Sequence, residues 1–327
     1  DGIDMSQKTM DGNIFSEVQS IALSLNKKGV IIGLCSKNNQ HDVDEVLKKH
    51  PDMQLREEHI NIKKIVWTDK VSSLRQISIE LNIGLDSIVF VDDSTFETNL
   101  VKEQIPEVTV LTVPKKLHEY PSMLRENLGL FYNLSSTKED QNKVEMYKDQ
   151  NLRVKEKDNY KSLQDYLESL ELQIKIFHNE SSLIPRMSQM SQKTNQFNLT
   201  TKRYTENDIT NYIKDKNVEV LSFSVVDKFG DSGVTGLCIV NIDPSEQLAS
   251  IDSFLMSCRV IGRNIEFVFV DYLINYLKEK NIDHIKAKYI LTKKNSQVEL
   301  FWDNFYFSVV NHTSSNKNYV LNLDDYQ

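Results

Sequence analysis

Two adjacent carboxylates, Asp92 and Asp93, end the apolar run Ile88-Val89-Phe90-Val91. Runs of this kind read as buried strands of a parallel sheet. In open α/β sheets, ligands sit beyond the carboxyl ends of such strands. Neighbouring carboxylates at that edge repel each other unless a cation lies between them, and hard oxygens suit Mg²⁺. The same residues would also serve a strand followed by a helix capped by Asp93 or Ser94. Two other strand ends carry polar groups: Ser36-Lys37-Asn38 after the run from Val30 to Cys35, and Lys70 shortly after Ile65-Val66-Trp67. A hydroxyl and an ammonium can hold a phosphate while carboxylates hold a metal that bridges to it. The candidate set is therefore Ser36, Lys37 and Lys70 for phosphate, with Asp92 and Asp93 for metal.

A second constellation lies far downstream. Arg259-Val260-Ile261-Gly262-Arg263-Asn264 stands between a strand pattern and a long helical pattern. Such a loop points backbone N–H groups, with Arg259 and Arg263 beside them, at an anion. A glycine turn flanked by surface arginines is the plainer alternative. The thiols offer a third possibility. Cys35 and Cys258 each lie near a cation, which lowers a thiol pKa and permits thioester chemistry, so Cys35 joins the catalytic candidates. Both also suit a small buried hydrophobe. Cys238 lies inside a strand pattern and reads as core.

The elements that must position these groups follow two grammars. In the first hundred residues, helical spacing at Ile14–Lys28, Asp42–Lys49, Val71–Leu81 and Thr95–Gln104 alternates with apolar runs, ending at Val108–Val113. That alternation predicts βαβ units and a parallel sheet. Leu117 to Lys161 is polar and helical in spacing, and reads as a connector with a solvated face. Beyond it, Leu172–Phe177 alternates as a strand with one wet face. Val218–Val226, Gly233–Ile242 and Ser250–Val260 form a meander, with turns at Phe229–Gly233 and Asp243–Ser245. A long helix from about Ile265 to Lys280, a strand at Ile285–Leu291, a short helix near Val298–Asn304 and a last strand near Tyr319–Leu323 follow. The predicted domains are residues 1–115, a connector at 116–165, and residues 166–327.

The 327 residues are ample for two domains. A formal charge of −8 argues against nucleic acid as the main partner, because phosphate backbones need a basic face. No apolar run is long enough to cross a bilayer. Three widely separated cysteines form no metal spacing or disulfide framework and suit a reducing cytosol. The seven histidines show no ligand spacing either.

The first half resembles a haloacid-dehalogenase-superfamily phosphatase domain, subfamily IIIC, of the FkbH-like group. The resemblance is carried by Gly29-Val30 through Leu34-Cys35-Ser36-Lys37-Asn38-Asn39, His50-Pro51-Asp52-Met53, Leu81-Asn82-Ile83-Gly84-Leu85-Asp86-Ser87, and Val89-Phe90-Val91-Asp92-Asp93-Ser94 with Glu97. It implies that Ser36 binds phosphate, Lys70 neutralises the transferring phosphoryl, and Asp92 and Asp93 hold Mg²⁺. Two features depart from the family. Its Asp-x-Asp-x-Thr nucleophile strand is absent upstream of Ile14. Asp1-Gly2-Ile3-Asp4 resembles the segment after that strand, so the sheet reads as truncated. The loop Trp67-Thr68-Asp69-Lys70 also lacks the family's Lys-Pro-Lys pattern. Covalent phosphoryl transfer needs the nucleophile, so this chain is expected not to hydrolyse phosphate esters.

The second half, in element order and in its Arg-x-x-Gly loop, resembles an acetyltransferase (GNAT)-like α/β domain, as FkbH-like proteins carry. Gln192 through Tyr204, Lys228-Phe229-Gly230-Asp231 and Ser257 through Arg263 extend the likeness. It implies that Arg259, Gly262, Arg263 and Asn264 bind coenzyme A or a carrier-protein phosphopantetheine arm. It also makes Lys193, Asn195 and Asn198 part of a substrate-lining loop. The implied activity removes phosphate from a three-carbon acyl donor of the 1,3-bisphosphoglycerate type and loads the glyceryl or a similar acyl group on an acyl-carrier-protein thiol, in the cytoplasm. Two alternatives remain: an acyltransferase with a degenerate phosphatase half, and a non-catalytic carrier-protein docking module.

Overall fold

Each apolar run of the first half becomes a short strand, and each amphipathic run a helix laid against it. The computed structural model describes residues 5–131, 142–157 and 159–326; the expectation attached to Asp1 through Asp4 lies outside them. The chain divides into two units, Asp1–Asn159 and Tyr160–Gln327. The first begins α1 (Met10–Lys27), β1 (Ile32–Ser36), α2 (Gln40–Lys49), β2 (Ile60–Ile65) and α3 (Lys70–Leu81). It continues with β3 (Val89–Asp92), α4 (Thr95–Gln104) and β4 (Thr109–Thr112). The strand expected at Ile65–Trp67 lies earlier, because Trp67 is 69 % exposed and the buried alternation starts at Asn61-Ile62.

β1 pairs in parallel with β2, from Ile32 opposite Ile60 to Ser36 opposite Ile65. β3 pairs in parallel with β4, from Val89 opposite Thr109 to Asp92 opposite Thr112. The single parallel sheet expected from sequence is, among the described residues, two separate two-stranded ribbons. Among the described residues, β1 and β3 are not hydrogen-bonded to each other, and each is paired along one edge. A shared core joins the ribbons instead. Ile62 of β2, Phe90 of β3, Val71, Leu74, Ile77 and Leu81 of α3 and Val101 of α4 form one cluster. Each buried aliphatic side chain contributes about 1.5–3 kcal/mol relative to exposure. The segment read as a connector supplies α5 (Tyr120–Glu126) and α6 (Lys143–Lys157). α5 packs on α1, and α6 packs on α3 and β2 with Tyr147 in the cluster.

The second unit is built on one seven-stranded sheet. Its elements are α7 (Leu163–Ser169), β5 (Gln173–His178), α8 (Ile184–Lys193), α9 (Glu206–Lys214), β6 (Val218–Asp227), β7 (Gly230–Asp243) and β8 (Leu248–Met256). Then come α10 (Ile265–Glu279), β9 (His284–Ile290), β10 (Ser308–His312) and β11 (Asn316–Asn322). The strand order is β10-β11-β9-β8-β7-β6-β5, antiparallel throughout except for β8 with β9. The expected meander is β6-β7-β8. Its first turn is tighter than expected: Asp227 opposes Gly230, and the Asp227 carboxylate accepts from the Phe229 and Gly230 N–H groups. β10 gave no sequence signal, since all five of its residues are exposed.

Both faces of this sheet are covered, which is why its strands read as near-continuous apolar runs. Leu221, Phe223, Val225, Cys238 and Val240 pack in one cluster with Phe269, Leu273 and Leu277 of α10. The alternating Val218, Val220, Leu237 and Ile239 pack on the opposite side with Met187, Met190 and Ile209 of α8 and α9. At Gly236 the sheet has no room for a side chain: an added Cβ would stand 1.9 Å from the Phe223 ring. Replacing Gly236 by Ala should therefore destabilise the second unit by about 1–3 kcal/mol, measured as a lower thermal midpoint. An unchanged midpoint would show that the Phe223 ring moves aside freely.

Candidate functional site

Four charged side chains from three strand ends meet at one edge of the first unit. Asp69 caps α3, accepting from the Ser72 N–H at 2.7 Å, and this places Lys70 on the first turn. The Lys70 ammonium donates to Oδ2 of Asp92, the last residue of β3. The other Asp92 oxygen accepts from the Ser94 N–H at 2.9 Å. Ser94, rather than Asp93, caps α4 and accepts from the Glu97 N–H. Glu97 in turn accepts from Lys37, just beyond β1. The Asp92 and Glu97 side chains are 6 % and 7 % exposed.

Of the expected site residues, the fold thus gathers Lys37, Lys70 and Asp92. Ser36 is the last residue of β1, half-buried, next to Lys37. Asp93 is exposed. The residue missing from the expected set was Glu97. Its signal was present, an acid four residues after Asp93 on the first turn of a helix that buries it.

Cys35 lies beside this cluster, but burial pushes its thiol up to about 11, outweighing the Lys70 ammonium nearby. A thiol held so high is a poor nucleophile, which argues against a catalytic role for Cys35. Iodoacetamide at pH 8 should modify Cys35 at least tenfold more slowly than free cysteine, read by peptide mass. Labelling as fast as the free amino acid would restore it as a candidate.

Among the described residues, no group of three or more His, Cys, Asp or Glu is placed to hold a metal. Mg²⁺, however, commonly takes one or two protein carboxylates and keeps its waters. Glu97 Oε2 is buried with no hydrogen-bond partner, and Asp92 is buried as well. The donor chemistry of this edge fits Mg²⁺ in that minimal form.

In the second unit, Gly262 has φ +82° and Asn264 φ +57°, and both are exposed at the start of α10. Arg259 is half-buried and donates to the Ser232 carbonyl at 3.4 Å. Arg263 is not a surface arginine. It is 5 % exposed, ion-paired at 3.1 Å with the fully buried Asp227 carboxylate, and donates to the Arg259 carbonyl at 2.7 Å. It fastens the loop from beneath, so its expected role as a direct anion ligand is corrected to a positioning one. Removing one partner of a buried ion pair typically costs about 3–5 kcal/mol. Asp227→Asn should lower stability by that amount in urea titration; a loss under about 1 kcal/mol would mean that the neutral amide satisfies Arg263.

Within the expected substrate loop, Asn198 is corrected to a structural role. β8 pairs with β9 only from Leu248 opposite His284 to Ser250 opposite Lys286. Beyond that, Phe197-Asn198-Leu199 enters between the two strands. Leu199 N–H donates to Phe254 O at 3.1 Å, Met256 N–H to Phe197 O at 2.9 Å, and Ile290 N–H to Leu199 O at 2.8 Å. Asn198 is fully buried, its carbonyl accepting from the Asn295 side chain at 2.9 Å and its own side chain accepting from the Thr201 N–H at 2.8 Å. Asn195 accepts from Arg203, and Lys193 is exposed at the end of α8. This stretch is polar because it carries the hydrogen bonds of a sheet insert.

No family model and no curated protein matches the chain. Among solved structures, the N-terminal, phosphatase-domain part of a Bacteroides fragilis protein, complexed with Mg, is 36 % identical over 41 % of this chain, with a TM-score of 0.40. The match spans 36 % of that relative's chain. The C-terminal half is similar to N-acetyltransferases. One is the Escherichia coli enzyme acting on a ribosomal-protein alanine, at 10 % identity over 46 % of this chain and 94 % of its own, TM-score 0.36. Another is the Vibrio cholerae spermidine enzyme in complex with CoA and spermine, at 12 % over 48 % and 98 %, TM-score 0.37. The two folds are seen in the element order and sheet topology above. Their order, phosphatase-like then acetyltransferase-like, is the order expected from the sequence.

Proposed function

We propose that the chain handles a small phosphorylated acyl donor at the strand-end cluster of its first unit and the acyl group itself in its second, in the manner of FkbH-like proteins. The observation that carries this reading is the convergence of Lys37, Lys70, Asp92 and Glu97 beside Ser36 at the carboxyl ends of β1 and β3. Lys70 and Lys37 are ammonium donors for phosphoryl oxygens, and the Ser36 hydroxyl is a neutral one. Asp92 and Asp93, with Glu97 at hand, would hold Mg²⁺, which when bound neutralises charge on the transferring phosphoryl. The lysines orient the phosphate and balance its charge before any bond changes.

Covalent transfer needs a carboxylate facing phosphorus. The open edges of β1 and β3 are where a strand bearing one would pair. In the second unit, Gly262, Asn264 and Arg259 would face a phosphopantetheine or coenzyme A arm, and Arg263 would keep the loop in place. The donor would be of the 1,3-bisphosphoglycerate type, the acceptor a carrier-protein thiol, and the setting the cytoplasm. No helix among the described residues is long and apolar enough to cross a membrane.

One feature favours a second reading. Lys70 is paired with Asp92 and Lys37 with Glu97, so both cations of the edge already have acidic partners. An acyltransferase or a carrier-protein docking module with a degenerate phosphatase half would be built this way.

Titration of inorganic phosphate with and without Mg²⁺, followed by calorimetry, separates the two. The first reading expects saturable, Mg²⁺-dependent binding that Lys70→Met weakens at least tenfold and Asp92→Asn makes insensitive to Mg²⁺. No saturable binding by the unaltered chain would leave only the second. Incubation with an acyl phosphate and holo-carrier protein, read by carrier mass, then tests acyl loading directly.

A further inference from the structure

Among the described residues, Lys70 is paired with one acid and Asp92 with one cation, each other. The Lys70 side chain is 12 % exposed and that of Asp92 6 %. Beside the ammonium lies the Phe90 ring, its centroid 5.7 Å away. A ring face holds a cation more weakly than a carboxylate does. Asp92 keeps one further bond, from the Ser94 N–H to its Oδ1 at 2.9 Å, and that donor is neutral. Lys37 is placed differently. Its side chain is 33 % exposed, so water reaches that ammonium whether or not Glu97 does.

Phosphate and Mg²⁺ call on opposite halves of the Lys70–Asp92 pair. Phosphate needs the ammonium, and Mg²⁺ needs the carboxylate. If Asp92 gave its oxygen to Mg²⁺ alone, Lys70 would be left a buried cation beside a divalent ion, without an acid. If Lys70 turned to phosphate alone, Asp92 would be left a buried anion beside a second anion. Parting a buried pair on one side leaves an uncompensated charge, which is strongly unfavourable. With both ligands present, each side chain exchanges one partner for another of the same sign. Lys70 passes from a carboxylate to a phosphate oxygen, and Asp92 from an ammonium to a divalent cation.

We propose that the Lys70–Asp92 pair is a charge lock that admits phosphate and Mg²⁺ as a couple, each binding weakly alone and each raising the other's affinity at least tenfold. The inference rests on the reading of this edge as a phosphate and Mg²⁺ site, and adds how that site is regulated. Coupling between two ligands is reciprocal, so the factor for one equals the factor for the other. The edge therefore stays shut in the presence of Mg²⁺ until a phosphorylated donor arrives.

A metal that merely bridged to bound phosphate would also couple the two, and Lys70 separates the cases. The test titrates the full chain with Mg²⁺, with inorganic phosphate, and with each at saturating levels of the other, by calorimetry at pH 7. About 0.5 M KCl screens the general field of exposed charges. The unaltered chain should show coupling of at least tenfold. Lys70→Met, which frees Asp92, should bind Mg²⁺ alone at least tenfold more tightly than the unaltered chain, with the coupling factor reduced at least fivefold. Asp92→Asn, which frees Lys70, should bind phosphate without Mg²⁺ at least tenfold more tightly than the unaltered chain does. Thermal melts verify folding, and Lys70→Gln replaces Lys70→Met if that variant unfolds. Saturable binding of both ligands with coupling under tenfold overturns the proposal and leaves the reading of the site standing. So does Mg²⁺ binding to the Lys70 variant no tighter than to the unaltered chain. Absence of saturable phosphate binding, with and without Mg²⁺, overturns the reading and the proposal together.

Discussion

Two crossed ion pairs hold the chemistry edge of the first unit together. Lys70 reaches Asp92 across 22 residues of sequence, and Lys37 reaches Glu97 across 60. Among the described residues no backbone ladder joins β1 to β3, and these contacts and the shared apolar core bring the two ribbons together at their carboxyl ends. Charges as buried as Asp92 and Glu97 persist in a folded protein only when paired. The requirement works in both directions: each lysine is fixed by the acid it neutralises, and each acid is tolerable only because a lysine reaches it. Anything that binds at this edge must compete with, or borrow from, lysines that are already paired.

The second unit solves a different problem. A sheet buried on both faces must keep every backbone group paired, because water cannot reach the interior to substitute. β8 and β9 diverge after three residue pairs, and Phe197-Asn198-Leu199 fills the opening with bonds to both. That insertion also delivers the Phe197 ring to the aromatic cluster of Phe254 and Phe301. Backbone satisfaction and core packing are thus met by the same three residues.

Much of this was legible in the sequence. Period-3.6 and apolar-run patterns located the helices and strands to within a few residues, and the meander followed from alternation and turn residues. The candidate edge was legible because strand ends in a parallel arrangement converge by topology, which placed Lys37, Lys70 and Asp92 together before any coordinates. What escaped was pairing at long range. Nothing near Arg263 indicates that its partner is Asp227, 36 residues earlier. Asn198 reads as a ligand-facing amide because sequence cannot distinguish a polar group turned to solvent from one turned to a strand. Cys35 misled for a related reason: proximity to a cation was visible, but the burial that overrides it was not. β10, exposed along its length, carries no hydrophobic signal and is set only by pairing with β11.

The edges of β1 and β3 that carry no ladder among the described residues have a consequence for solution behaviour. Unsatisfied main-chain donors and acceptors in a row are a template for any extended polypeptide, including one from a neighbouring molecule. Here both templates belong to the same unit. Colloidal behaviour at high concentration therefore depends on how well those edges are guarded. The lysines at these strand ends are already matched, Lys37 with Glu97, Lys63 with Asp44 and Glu57, and Lys64 with Glu80, so they offer no row of unpaired positive charge to hold a second copy away.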